Sequence, residues 1–275
     1  MRFSQLNGYR TGPPFISFGL TSLQITLIQI VALAPPVIVT IASSGTTALQ
    51  IAAVAVVVTL FWELLFAILR RKSLTWHGLT TAMIMIVMVP TVVPLWQLAM
   101  AVSFGVVLTE LIFGGRGFGF LNAAVTSLAF LVFSFPGSAL SGAAIPIAMS
   151  SLPGALLLLL FGLISLRVVL AAVTAIAVFS IANPEAFDPI ITLSAAAFGL
   201  IFLVCDPISS ASTNPGRIAY GLFVGLLTAF FDSHTGPAIS PVAVVFAALL
   251  GSIFAPLIDH VVVLFHAVWR RRRNG

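Results

Sequence analysis

Apolar runs separated by short polar or Gly/Pro-rich interruptions follow one another along almost the whole chain of 275 residues. The longer runs match the ~20 residues needed to cross a hydrocarbon core about 30 Å thick. In lipid a spanning segment must be helical, because no water is present to satisfy its backbone N–H and C=O groups. The pattern predicts ten helices: Leu20 to Thr40, Ala48 to Leu69, Gly78 to Val89, Leu95 to Phe113, Phe120 to Phe135, Ala155 to Leu166, Arg167 to Ile181, Ile190 to Val204, Asn214 to Phe231 and Val242 to Trp269. In the ninth, Asn214 is expected to cap and Pro215 to occupy the first turn. Pro136 to Pro153 is predicted as a small-residue loop, Asn183 to Pro189 as a turn and Asp232 to Pro241 as a polar loop. The chain then divides into a polar segment 1–19, a membrane domain 20–269 and a basic tail 270–275.

Composition agrees: 60% of residues are hydrophobic, 7% are charged and the mean hydropathy is +1.19. Soluble domains are near half apolar and a quarter charged, so the expected class is an all-α polytopic membrane protein embedded in a lipid bilayer. The single Cys205 excludes a disulfide framework and an iron–sulfur cluster held within the chain. Met1 to Pro14 lacks a small-residue cleavage pattern, so the run from Leu20 is expected to be a retained first span.

Charge supplies an independent check on the span count, since cytoplasmic loops collect Lys and Arg. With the N-terminus inside, Arg2, Arg10, the Arg70 cluster, Arg116, Arg167, Arg217 and the Arg270 cluster, which are all 12 basic residues, fall on the cytoplasmic side. The opposite loops carry Glu185, Asp188, Asp232 and His234. Ten spans with both termini cytoplasmic follow, and the net charge of +5 is a signal of topology rather than of a nucleic-acid partner.

The densest polar stretch is Cys205 to Arg217, C-D-P-I-S-S-A-S-T-N-P-G-R, joining the eighth and ninth helices. Asp206 is followed by Ser209, Ser210, Ser212, Thr213 and Asn214. These hydroxyls could simply satisfy helix ends. Alternatively, the free N–H groups of the ninth helix, with Arg217, would favour an anionic or strongly hydrogen-bonding ligand. The run Gly114 to Gly119 holds Arg116 and precedes Asn122; it matches neither the dinucleotide fingerprint nor the P-loop, and a close-packing turn explains it equally well. Asn122 falls inside an apolar span, where an amide needs an interhelical partner or a ligand. Glu63, Glu110, Asp259 and His260 lie in or at the edges of helices, as ion or cofactor groups or as partners of nearby arginines. His77, His234 and His266 lack metal-ligand spacing, and Trp62, Trp76, Trp96 and Trp269 suit interfacial belts. Two classes remain from the residues alone: a transporter or channel with a midplane site, and a membrane redox subunit holding an organic cofactor.

Several strings carry a resemblance: E-L-L-F-A-I-L-R-R-K from Glu63, P-T-V-V-P-L-W-Q, E-L-I-F-G-G-R-G-F-G-F-L-N, C-D-P-I-S-S-A-S-T-N-P-G-R, F-A-P-L-I-D-H-V-V-V and the closing R-R-R-R-N-G. Together, and in this order, they resemble the NqrB/RnfD family, the membrane subunits of the sodium-translocating NADH:quinone oxidoreductase (Nqr) and of the Rnf complex. The resemblance implies ten helices in two pseudo-symmetric five-helix halves, related in shape to urea channels. It implies a bacterial inner-membrane protein that passes electrons through flavins toward a quinone or a partner subunit. The family's asparagine at a non-covalent riboflavin site corresponds to Asn122, although the proline after it is Ala123 here, and the family acid linked to sodium uptake corresponds to Asp259.

The departures are equally specific. Family members attach FMN covalently to the threonine of an [ST]-G-A-T motif, whereas this chain offers Ser141-Gly142-Ala143-Ala144 and Pro153-Gly154-Ala155-Leu156. Neither ends in threonine, so covalent FMN is not expected unless Ser138, Ser141, Ser150 or Ser151 substitutes. The family acid before the glycine that opens the third helix is His77 here, which removes one carboxylate from a sodium path. The chain is also shorter than its relatives, in the N-terminal extension and the exported loop.

The expectation is therefore a flavin-binding membrane subunit, with riboflavin or FMN held non-covalently, working with a soluble reductase partner, other membrane subunits and quinone. Asn122, Arg116, Asp206, Ser210, Thr213 and Arg217 are the expected cavity residues, and Asp259, Glu63 and Glu110 the candidates for Na+ or H+ coupling. A urea-channel-like solute channel or carrier is the alternative.

Overall fold

The structure, a computed structural model, describes residues 22–71, 74, 76–115, 117–137, 140–142, 144–182, 189–232 and 240–274. The segment 1–19, Lys72, Arg116, Ser138, Glu185, Asp188 and His234 lie outside the described residues.

The apolar runs fold as α-helices: α1 (Ser22–Ser44), α2 (Thr46–Arg70), α3 (Gly78–Met88), α4 (Leu95–Val106), α5 (Ala123–Ser134), α6 (Ile145–Leu160), α7 (Leu166–Ala182), α8 (Pro189–Gly199), α9 (Asn214–Asp232) and α10 (Pro241–Asn274). Two π turns, Val107–Leu111 and Leu200–Val204, continue α4 and α8, and no strand occurs among the described residues. The outer surface is apolar, with Ile38, Val57, Phe61, Phe133 and Leu160 all exposed, while Thr59, Ser127, Thr228, Glu63, His77 and Asp206 are buried. This distribution is the reverse of a soluble fold and is that of a membrane protein, whose polar groups face the bundle interior. The buried hydroxyls return to their own helices: Thr40 donates to Pro36 O, Thr59 to Ala55 O, Ser127 to Ala123 O and Thr228 to Val224 O.

Helix pairing repeats along the chain. In the first half α1 packs on α3, α2 on α3 and α4, α3 on α5, and α4 on α5. In the second half α6 packs on α8, α7 on α8 and α9, α8 on α10, and α9 on α10. The halves join through α1 against α6 and α5 against α10. Small residues bring these helices close. On α9, a Cβ at Gly221 would stand 2.6 Å from Val168 O, and one at Gly225 2.6 Å from Ala172 O, so this G-x-x-x-G lets α9 lie directly on α7.

Helix α6 differs most from expectation. It begins at Ile145, ten residues before the predicted Ala155, and passes through Pro153. A proline inside a membrane helix is tolerated where neighbouring groups re-satisfy the freed backbone. Gly154, next to it, packs so tightly on α1 that a Cβ would overlap Ala32 O. The helix stops early because Gly162 adopts φ +67°, with Gly162 N–H bonded to Leu159 O and Leu163 N–H to Leu158 O. Pro153-Gly154-Ala155-Leu156 is therefore the interior of a packed helix, and the predicted loop Pro136 to Pro153 is half helical.

α3 has 11 residues and α5 has 12, about 16–18 Å at 1.5 Å per residue, so neither alone crosses a ~30 Å core. Val89 and Val93, in the non-helical chain after α3, are buried in protein. Irregular backbone is tolerated at membrane depth under that condition.

Candidate functional site

Short helices place their N-termini inside the bundle. His77 precedes α3 and Asn122 precedes α5, and both line one cleft of about 400 Å³, counting its open mouth. Its walls come from both halves: Gln29 and Leu33 of α1, Thr80 and Ile84 of α3, Leu158 of α6, Ile164, and Ile201, Phe202, Cys205, Asp206 and Pro207 in and after the second π turn. The lining has the usual form of small-molecule sites, apolar walls with a few convergent polar groups. An adjoining cavity of about 220 Å³ shares His77 and Asp206 and adds Thr109, Glu110, Gly117, Gly119, Leu121 and Ile208.

The π turns carry the acids to this place. π turns concentrate at functional sites because the extra residue re-aims the side chains that follow. Glu110 lies in the first, and Asp206 follows the second by two residues. His77 Nε2 stands 3.6 Å from Glu110 Oε1, and Thr80 Oγ1 stands 3.0 Å from His77 Nδ1. Asp206 is buried and accepts a hydrogen bond from Ser209 Oγ at 3.2 Å. Tyr220 of α9, itself fully buried, donates to Val204 O at 3.1 Å and so fixes the end of the second π turn under Cys205 and Asp206. Burial, with Asp206 beside it, pushes the Cys205 thiol up to about 12. Such a thiol stays protonated and is a packed side chain rather than a metal-binding thiolate.

Asn122 is the N-cap of α5: its Oδ1 accepts from Ala124 N–H at 2.8 Å and from Val125 N–H at 3.4 Å. The amide therefore has a structural partner on its oxygen side. Its NH2 makes no hydrogen bond among the described residues, and the residue faces the cleft.

The loop that follows Asp206 is latched from α10. Asp259 Oδ2 accepts from Ser212 N–H at 2.7 Å and Ser212 Oγ at 2.8 Å, while Oδ1 accepts from Thr213 N–H at 3.1 Å and Thr213 Oγ1 at 2.5 Å. Thr213 Oγ1 also accepts from Gly216 N–H at 3.2 Å, so Thr213 caps α9, one residue before the predicted Asn214. Asn214 instead accepts from Arg167 Nη1 at the head of α7. Arg217 braces the loop by donating from Nε to Ala211 O at 3.3 Å.

Of the residues singled out by sequence, Asn122 and Asp206 meet in the main cleft and Glu110 in the adjoining cavity. Ser210, Thr213, Arg217 and Asp259 line neither cavity; they hold the loop that forms one wall. Glu63 sits behind α3, its Oε1 accepting Gly78 N–H at 2.7 Å, which answers one of the orphan donors at that helix start. Arg116 lies outside the described residues. Sequence reasoning missed Gln29 and gave His77 no part in the cleft. Gln29 carries a readable signal, an amide in the middle of an apolar span. Its Oε1 is shut off from solvent and accepts no hydrogen bond among the described residues.

The serines expected as possible substitutes for the missing threonine, where described, hydrogen-bond within the bundle. Ser141 donates from N–H to Met88 O at 2.8 Å and from Oγ to Val87 O at 3.1 Å. Ser150 and Ser151 both donate to Ile147 O within α6.

Comparison with known proteins places this architecture. The sequence profile of the NQR2, RnfD, RnfE family matches residues 10–144 and 140–265. The NqrB protein of the Na(+)-translocating NADH-quinone reductase of Chromohalobacter salexigens is 31% identical, over 78% of this chain and 65% of its own length. The equivalent proteins of Ectopseudomonas mendocina and Klebsiella pneumoniae are 29% and 30% identical, over 82% and 78% of this chain. The chain spans about two thirds of the length of these curated relatives, 65% of the first, 69% of the second and 66% of the third. With the profile matching both halves, the chain belongs to the NQR2, RnfD, RnfE family.

Proposed function

We propose that this chain is the membrane subunit of an Nqr- or Rnf-like electron-transfer complex, and that it holds a flavin non-covalently in the cleft between its halves. One observation carries the reading: Asn122, the position equivalent to the family's riboflavin asparagine, meets Asp206 of the D-P-I-S-S loop in a single cleft, beside the orphaned amide oxygen of Gln29. These residues fit the group. Leu33, Ile84, Ile201 and Phe202 supply apolar walls for a planar ring, and the Asn122 NH2 and Gln29 Oε1 supply a donor and an acceptor for its polar edge. A flavin held there supplies transfer of one or two electrons. The protein's own part is to orient the ring, exclude water and keep a titratable group, the His77–Glu110 pair, at the cleft edge.

Ten crossings with both termini cytoplasmic fit the confinement of all 12 basic residues to one side. In that orientation the cleft and the loop Cys205 to Arg217 face the cytoplasm, where a soluble reductase partner would dock. Quinone or another membrane subunit would then take the electrons on. Coupling to Na+ or H+ would engage Asp259, whose two oxygens already accept four hydrogen bonds, so a cation would bind there only in exchange for Ser212 and Thr213.

The half-length α3 and α5, with N-termini at a buried cleft, favour a second reading, because solute carriers and channels use the same device. Visible absorption of the purified chain, before and after acid precipitation, separates the two. A flavin spectrum that moves to the supernatant is expected. Absence of flavin together with solute flux in liposomes would replace this reading with the channel, and fluorescence remaining on the precipitated protein would contradict non-covalent binding.

A further inference from the structure

The amide of Gln29, in the apolar middle of α1, has no account in the fold. An acceptor in an apolar interior without a hydrogen bond costs free energy comparable to the bond it lacks. Gln29 Oε1 is such an acceptor, and Gln29 lines the cleft with Asn122, whose Oδ1 is taken by the cap of α5 and whose NH2 the cap does not use. Packing alone would be served better by leucine or methionine at this place on α1. The unmet oxygen calls for a ligand that donates a hydrogen bond, and the Asn122 NH2, which the cap leaves unused, can donate to an acceptor on the same ligand.

We propose that Gln29 is a recognition residue for the pyrimidine edge of the flavin, resting on the reading of the cleft as a flavin site. The oxidised isoalloxazine ring has a single ring N–H, at N3, flanked by two carbonyls. Gln29 Oε1 takes the N3–H, and the Asn122 NH2 donates to a flanking carbonyl. Both amides belong to the first half, so α1 and the head of α5 grip the polar edge while Ile201 and Phe202 of the second half meet the ring's apolar part. A site built to pair a polar group discriminates sharply against analogues that lack it, because its own buried group is then left unmet.

The test is equilibrium titration of the flavin-stripped full chain with riboflavin and with 3-methylriboflavin, in wild type and in Gln29→Met, followed by flavin fluorescence. Methionine keeps the length and volume of the side chain and removes only its hydrogen-bonding groups. In wild type the methylated flavin is expected to bind about tenfold more weakly than riboflavin. In Gln29→Met riboflavin itself is expected to bind about tenfold more weakly, and the preference between the two flavins to vanish. The thermal midpoint of the flavin-free variant is expected to equal or exceed that of wild type, since an unmet acceptor has gone. Equal binding of both flavins by wild type overturns the assignment without reference to any variant, as does riboflavin binding by Gln29→Met at wild-type strength. Failure of wild type to bind riboflavin at all overturns the flavin reading, and the assignment of Gln29 with it.

Discussion

Asp259 of α10 holds Thr213 at the head of α9 by two hydrogen bonds, one to its N–H and one to its hydroxyl, and the same carboxylate takes two more from Ser212. The loop that walls the cleft is thereby tied to a helix 46 residues further on. Replacing Asp259 by Asn leaves one oxygen and turns an NH2 toward groups that are themselves donors. A loss of about 1–3 kcal/mol is expected, after discounting for the exposure of Ser212. The measurements are a lower thermal midpoint in detergent and faster limited proteolysis within residues 205–213. An unchanged cleavage rate would argue against the latch.

Gly216 is required by the same contact. A Cβ there would overlap both Asp259 Oδ1 and Thr213 Oγ1. Gly216→Ala is expected to reproduce the proteolytic sensitivity of Asp259→Asn, and the double variant to be no worse than the more severe single one, because both break one interaction. Strict additivity in the double variant would count against a shared contact.

Asn122 has two separable tasks. Asn122→Asp keeps an oxygen to cap α5 and suits the helix N-terminus, while it removes the NH2 that the cap does not use. The thermal midpoint is expected to stay near wild type while the bound flavin falls. Asn122→Leu is expected to lose both, with about 1 kcal/mol less stability from the missing cap. Undiminished flavin in Asn122→Asp would reduce the residue to a cap.

Cys205 is expected to resist alkylation at every pH from about 6 to about 9 in the folded chain, because burial and Asp206 push its thiol up to about 12. Labelling should become complete only after unfolding in a strong detergent. A steep rise in labelling between about pH 7 and about pH 9 would mean an ordinary, accessible thiol.

The class of the protein and most helix positions were legible because long apolar runs have few alternatives in lipid. α6 was not, since Pro153 looks like the end of a loop and only its packing against α1 reveals it as helix interior. The cap of α9 moved from Asn214 to Thr213 because a carboxylate 46 residues away orients that hydroxyl. Asn122 was singled out for the cost of an amide in an apolar span, and the same rule applied to Gln29 would have found it. His77 gave no local sign of its place, since its partner Glu110 is brought to it by the π turn after α4 and not by sequence spacing.

Occupation of the cleft between the halves by flavin is open to direct observation in a density map of the full chain loaded with riboflavin. One planar feature is expected, bounded by Gln29, Asn122, His77, Ile201 and Asp206, with its polar edge toward the two amides. A riboflavin-loaded map in which that cleft is closed by side chains, with the flavin bound elsewhere on the protein, would contradict it.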